Sequence, residues 1–228
     1  MSTKRYEIKF VLNERGLAHL LSGINVLTTA KIRYPCREIN SVYYDDAHYS
    51  SAVTNLAGLP DRKKMRVRWY VDREGYVSHP SLEFKIKQGR LGKKIKYPIQ
   101  SLSQNKEIMA LTYKDLSEEV IETIGKHQIN ISWWPNPTMH IVYLRHYYEG
   151  MYGIRLTIDR LVRFYSVNPL KLIKSDSCIK SRQIIAELKF SPTEKDKVSR
   201  FLTRLRLVPR RHSKYLDGLS RFGIVTYQ

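Results

Sequence analysis

The sequence predicts an α+β protein whose strands close into an eight-stranded antiparallel β-barrel with helices packed outside. Apolar and polar residues alternate with period two in eight separate segments, and helix-like periodicity falls between them. On several of these strands the polar side carries Arg, Lys and Glu in place of the Ser, Thr and Gln of an ordinary solvated strand. Eight strands suit a closed barrel, and closure leaves no exposed edge.

The period-two segments lie near residues 5–12, 37–44, 63–71, 81–87, 92–99, 139–148, 152–162 and 183–190. Helix-like patterns occupy 13–23, 46–56, 104–126 and 192–206, the last opened by Ser191-Pro192, where proline suits a first helical turn. A final short helix is expected over Ser213 to Phe222, and the glycines of Gly89-Arg90-Leu91-Gly92 read as a hairpin turn with basic flanks, their spacing being wrong for a P-loop. No stretch reads as a linker and no repeat is evident, so residues 1–228 are expected to form one domain.

The charged faces carry the functional argument. Tyr6-Glu7-Ile8-Lys9-Phe10, Met65-Arg66-Val67-Arg68-Trp69, Leu82-Glu83-Phe84-Lys85-Ile86-Lys87 and Ala186-Glu187-Leu188-Lys189-Phe190 share one design, apolar on one side and charged on the other. These four faces hold Lys9, Arg66, Arg68, Lys85, Lys87 and Lys189 against Glu7, Glu83 and Glu187. Converging strands would leave an uncompensated positive field that a polyanion relieves. The opposite faces, with Tyr6, Phe10, Val67, Trp69, Leu82, Phe84, Leu188 and Phe190, are expected under helices.

Composition points the same way. Lys plus Arg number 40 against 21 Asp plus Glu, a net charge of +19 spread from Lys4 to Arg221, and 42% hydrophobic residues exclude a disordered basic tail. The two cysteines, Cys36 and Cys178, have no His or Cys at metal-ligand spacing, which fits a reducing, cytoplasmic setting. No apolar run is long enough for a membrane span.

Arg5-Tyr6-Glu7-Ile8-Lys9, Ser41-Val42-Tyr43-Tyr44-Asp45, Arg66-Val67-Arg68-Trp69-Tyr70, Glu83-Phe84-Lys85, Tyr143-Leu144-Arg145, Arg155-Leu156-Thr157-Ile158-Asp159, Glu187-Leu188-Lys189 and Ser213-Lys214-Tyr215 occur in an order and spacing that resemble the VTC-type polyphosphate polymerase domain. That family is a branch of the triphosphate tunnel metalloenzymes. The resemblance implies a tunnel gripping polyphosphate, with ATP as phosphoryl donor and Mn²⁺ or Mg²⁺ as cofactor. It implies phosphate ligands at Lys9, Arg66, Arg68, Lys85, Arg145, Arg155 and Lys214, with Lys94 or its neighbour Lys93, and metal binding by Glu187. Arg66, Arg68, Lys85 and Lys214 are expected to be catalytic, and the charged strand faces add Lys87 and Lys189 as substrate contacts and Glu7 as a second metal-binding acid.

Arginine's planar fork suits two phosphate oxygens, lysines act as point charges along a track, and a carboxylate suits a hard metal. Where the hydrolytic tunnel enzymes have Glu-x-Glu-x-Lys, this chain has Arg5 before Glu7 and Lys9, which favours polymerase over triphosphatase. A non-catalytic polyanion binder is the other alternative. Nucleic acid is disfavoured as a partner, because the strand aromatics lie opposite the charges. Fungal members carry a phosphate-sensing domain and membrane segments that are not read here, so any membrane association is expected through a partner protein. His146, His212 and the Trp133-Trp134-Pro135 turn are read as packing or surface residues, and Asp159 and Arg160 as pairing with each other's neighbours.

Overall fold

The computed structural model describes residues 5–28, 31–71, 77–89, 91–103, 110–150, 153–174 and 178–227. In chain order these form β1 (Tyr6–Leu12), α1 (Glu14–Thr28), β2 (Lys31–Asp45), α2 (Ser50–Leu56), β3 (Arg62–Val71), β4 (Val77–Gln88), β5 (Leu91–Pro98), α3 (Tyr113–Lys126), β6 (Asn136–Glu149), β7 (Arg155–Tyr165), β8 (Cys178–Lys180), β9 (Ile184–Phe190), α4 (Lys195–Leu205) and α5 (Lys214–Arg221). Short 3₁₀ turns cover Ser101–Ser103 and Pro192–Glu194, the second with its proline in the first turn as expected.

The nine strands follow the hydrogen-bonded order β1-β9-β7-β6-β2-β3-β4-β5, with β8 beside β7. This corrects the expected eight-stranded closed barrel. Among the described residues the sheet has nine strands and does not close, its path ending at β1 and β5. β8, only three residues long, is too short to show alternation. β5 bears Lys93, Lys94 and Lys96, the kind of charge that discourages further strand pairing at an edge. The helix expected over 104–126 begins at Tyr113; residues 104–109 lie outside the described residues.

The chain divides into two compact units. The first comprises Met1–Arg37, Tyr143–Val162 and Lys180–His212, the second Glu38–Val142, Arg163–Ile179 and Ser213–Gln228.

In the first unit, β1 and the start of β7 both pair antiparallel with β9. One face is apolar. Phe10, Leu156, Ile158, Ala186, Leu188 and Phe190 pack with Leu17 and Leu20 of α1 and Val198, Phe201 and Leu202 of α4. Burying a side chain such as Phe10, which is fully inaccessible, contributes about 1.5–3 kcal/mol.

In the second unit, β2, β3, β4 and β5 pair antiparallel in sequence, with a bulge between Arg68 and Tyr70. Val42, Tyr44, Met65, Val67, Trp69, Leu82 and Phe84 form the apolar face, covered by Tyr113, Leu116 and Val120 of α3. α3 starts where it does because Thr112 and Asp115 form a reciprocal capping box. α5, capped by Ser213, comes close to β6 and β7 at Gly218, where an added Cβ would stand 2.8 Å from Phe164 Cδ1 and 3.1 Å from Met139 Cγ. Gly89, directly after β4, sits at φ +57°, and β4 pairs antiparallel with β5 from Ser81 to Gln88, in keeping with the hairpin reading.

Candidate polyanion site

Because helices cover the apolar faces, the opposite face in each unit is the charged one. In the second unit the register sets the charges in rungs. Arg62 lies opposite Lys87, Lys64 opposite Lys85, and Arg66 opposite Glu83. Across the next pairing, Lys85 faces Lys94 and Glu83 faces Lys96. On the β2 side, Tyr43 faces Arg66 and Ser41 faces Arg68.

Glu83 is the hub of this face, with only 1% of its side chain exposed. Its Oε2 accepts from Arg66 Nε at 2.9 Å and Nη2 at 2.7 Å, while Arg68 Nη1 stands 4.0 Å away. Its Oε1 lies 2.7 Å from Lys94 Nζ and 3.2 Å from Lys96 Nζ. Burial favours the neutral acid, but Arg66, Arg68 and Lys94 outweigh it and hold the Glu83 carboxyl far below the usual carboxylate range. Arg66 Nη1 also donates to Tyr43 Oη at 3.0 Å, and Arg68 Nε donates to Ser41 Oγ at 3.2 Å. Burial works to raise the Tyr43 phenol, yet Arg66 and Arg68, with Lys214 beyond them, keep it below its ordinary value.

Lys64 Nζ donates to Ser213 Oγ at 3.0 Å, which ties β3 to the start of α5 beside Lys214. Of the expected residues, Arg66, Arg68, Lys85, Lys87 and Lys94 therefore share one face. Lys93 does not. It pairs with Ile86 in register and so occupies the opposite face. The sequence reading missed Lys64, Lys96, Arg62, Tyr43 and Ser41; the signal for the first three was the continuation of the i, i+2 pattern along β3 and β5.

The first unit holds a different arrangement. Glu7 is opposite Lys189 and Lys9 opposite Glu187. Lys9 Nζ stands 3.5 Å from Glu7 and 3.4 Å from Glu187, and Lys189 Nζ 3.6 Å and 3.4 Å from the same two carboxylates. The four side chains thus alternate in sign around a square. Lys9 Nζ also donates to the His212 carbonyl at 3.2 Å. Arg155, opposite Lys189, lies 3.2 Å from Glu149.

Arg145, expected as a phosphate contact, is engaged by a neighbouring acid. Its Nε and Nη2 donate to the two oxygens of fully buried Asp159 at 2.5 and 2.7 Å, so the guanidinium is held by a buried carboxylate. Asp159, read from sequence as a minor pairing residue, is Arg145's partner.

Among the described residues no three His, Cys, Asp or Glu side chains gather as a complete metal cage. Glu7 and Glu187 nevertheless supply two hard oxygen donors to one face. Thr157, opposite Glu187, adds a buried hydroxyl with no hydrogen-bond partner. This donor set fits Mg²⁺ or Mn²⁺, which take carboxylates together with waters and phosphate oxygens.

The VTC domain model matches residues 4–222. The chain belongs to the VTC domain family. Its membership places this VTC domain protein in the triphosphate tunnel superfamily of metal-dependent, phosphate-handling enzymes. Solved structures share the fold. The PH1819 protein of Pyrococcus horikoshii OT3 matches at 13% identity and a TM-score of 0.51, covering 96% of this chain and 98% of its own. HpAC1 of Hippeastrum, described as an adenylyl cyclase with a dominant triphosphatase activity, matches at 14% identity and 0.52, covering 98% of each chain. A Vibrio parahaemolyticus protein described as an adenylate cyclase matches at 11% and 0.52, covering 96% and 99%. No curated protein matches the chain significantly. No helix among the described residues of the VTC domain is long and apolar enough to cross a membrane.

Proposed function

We propose that the protein is an ATP-dependent polyphosphate polymerase. A terminal oxygen of the growing chain attacks the γ-phosphorus of ATP, the bond from that phosphorus to the β–γ bridging oxygen breaks, and ADP leaves. The single observation that carries this reading is the basic face of β3, β4 and β5, where Arg62, Lys64, Arg66, Arg68, Lys85, Lys87, Lys94 and Lys96 surround one acid, Glu83.

Such transfer needs little covalent help; it needs in-line positioning and charge stabilisation. Arg66 and Arg68 clamp phosphate oxygens, Lys85, Lys87 and Lys94 extend the track, and Lys214 adds charge at the first turn of α5. Glu83 holds Arg66 in orientation through two hydrogen bonds. In the first unit, Glu7 and Glu187 would hold a divalent cation, Mn²⁺ or Mg²⁺, which would supply charge neutralisation on phosphate. Lys9, Lys189 and Arg155 serve as phosphate contacts on that face, and Arg145 braces it through Asp159. The protein works in the cytoplasm, with any membrane association supplied by a partner protein.

The test is to incubate purified protein with ATP and Mn²⁺ and resolve the products on a gel. Long polyphosphate together with ADP is expected, and replacing Arg66 or Lys214 by Ala should abolish it. Release of phosphate from tripolyphosphate with no polymer would establish the triphosphatase alternative. Full activity in both variants would sink the assigned site.

A further inference from the structure

Lys64, Lys85 and Lys94 stand directly opposite one another across β3, β4 and β5. Like charges paired in this way repel. Glu83, on the adjacent rung, is the one acidic residue in these three strands. It is shared among Arg66, Arg68, Lys94 and Lys96, all within 4.0 Å. Lys94 therefore has one quarter-share of a counter-ion. Lys85 faces it from β4, Arg66 and Arg68 act on it from β3, Lys96 follows on its own strand, and Tyr43 and Lys214 lie beyond Arg66.

We infer that the basic face takes up a proton at Lys94 Nζ as a phosphate chain binds, so that polyanion occupancy and acidity are linked at this site. The inference rests on the proposed phosphate-chain binding and deepens it. The proton comes from solvent and adds to the amine lone pair, with no covalent bond to phosphate. Partial burial of a side chain still 42% exposed, with Arg66 and Arg68, lowers the Lys94 ammonium to about 7 against the opposing pull of Glu83. A bound anion adds a strong opposite charge and shifts the group back to its charged form. Binding must then tighten as pH falls from the alkaline side through neutrality.

Isothermal titration calorimetry with long-chain polyphosphate, in buffers of different ionisation enthalpy, tests this. Internal phosphates of such chains do not titrate near neutrality, so uptake reports the protein. Uptake of about half a proton per site is expected at pH 7, rising towards about one at pH 8. Lys94→Arg, which stays charged, should bind with the uptake lost.

A second readout uses the wild-type protein alone. An amine-acylating reagent at pH 7.5 should modify Lys94 faster than Lys126, located by mass spectrometry, and polyphosphate should protect it. Binding without proton uptake, equal uptake by Lys94→Arg, or ordinary reactivity at Lys94 overturns the inference and leaves the phosphate-chain reading standing. Absence of polyphosphate binding to the wild type overturns both.

Discussion

Tyr43 and Tyr215 stack ring on ring, with centroids 4.9 Å apart and planes 10° from parallel. The stack joins the basic face to α5, because Tyr43 Oη accepts from Arg66 while Tyr215 directly follows Lys214. Tyr215 Oη in turn donates to Asp45 Oδ2 at 2.8 Å. Asp45 also accepts from the backbone N–H groups of Asp46, Ser51 and Ala52, which fixes the entry into α2. Stacking, phenol and carboxylate together hold the first turn of α5, which carries Lys214.

Tyr215→Phe keeps the stack and removes the hydrogen bond to a buried carboxylate. A loss of about 1.5–3 kcal/mol in urea denaturation is expected. A parallel weakening of polyphosphate affinity would show that the same bond also places Lys214.

Glu83 makes stability depend on pH with a defined sign. Its folded carboxyl lies below the unfolded value of about 4.3, so its contribution is present above that pH and is lost as pH falls through the folded pKa. Glu83→Gln should cost about 3 kcal/mol at pH 7, where four cations lose their shared anion. The gap between variant and wild type should narrow as the pH is taken below about 4. Thermal melts across that range give the comparison; a gap that stays constant would contradict the assignment.

Asp159→Asn leaves the Arg145 guanidinium buried without its carboxylate. The expected cost is about 3–5 kcal/mol, whereas replacing both partners by apolar residues of similar volume should restore most of it. Double-mutant-cycle denaturation measures the coupling.

Glu187→Gln should weaken Mn²⁺ binding, followed by electron paramagnetic resonance of the free ion, by about tenfold or more. Glu7→Gln should act in the same direction. If neither variant alters Mn²⁺ binding, the metal assignment fails.

The period-two alternation was enough to read the charged and apolar faces, since Arg66, Arg68, Lys85 and Lys87 stand two apart on their strands and a pleated strand leaves no other arrangement. Registration between strands is a long-range property, so the rung of Lys64, Lys85 and Lys94 could not be read from any one segment. For the same reason Lys93 and Lys94 were interchangeable until pairing with Ile86 and Lys85 separated them. The Arg145 to Asp159 bond joins neighbouring strands fourteen residues apart, and burial, invisible locally, is what commits both. β8 was missed because three residues carry no period, and without it the count of eight suggested a closure that the sheet does not make.

Gly218 carries a hydrogen where any other residue would carry carbon, and Phe164 and Met139 fill the space so released. A methyl group there would act as a wedge, forcing α5 away from the aromatic ring at a cost of about 1–3 kcal/mol. Lys214 sits one helical turn earlier, so the wedge would swing its ammonium outward as well. The seating of one positive charge is thereby decided by the smallest side chain in the helix, at a position that need never meet phosphate.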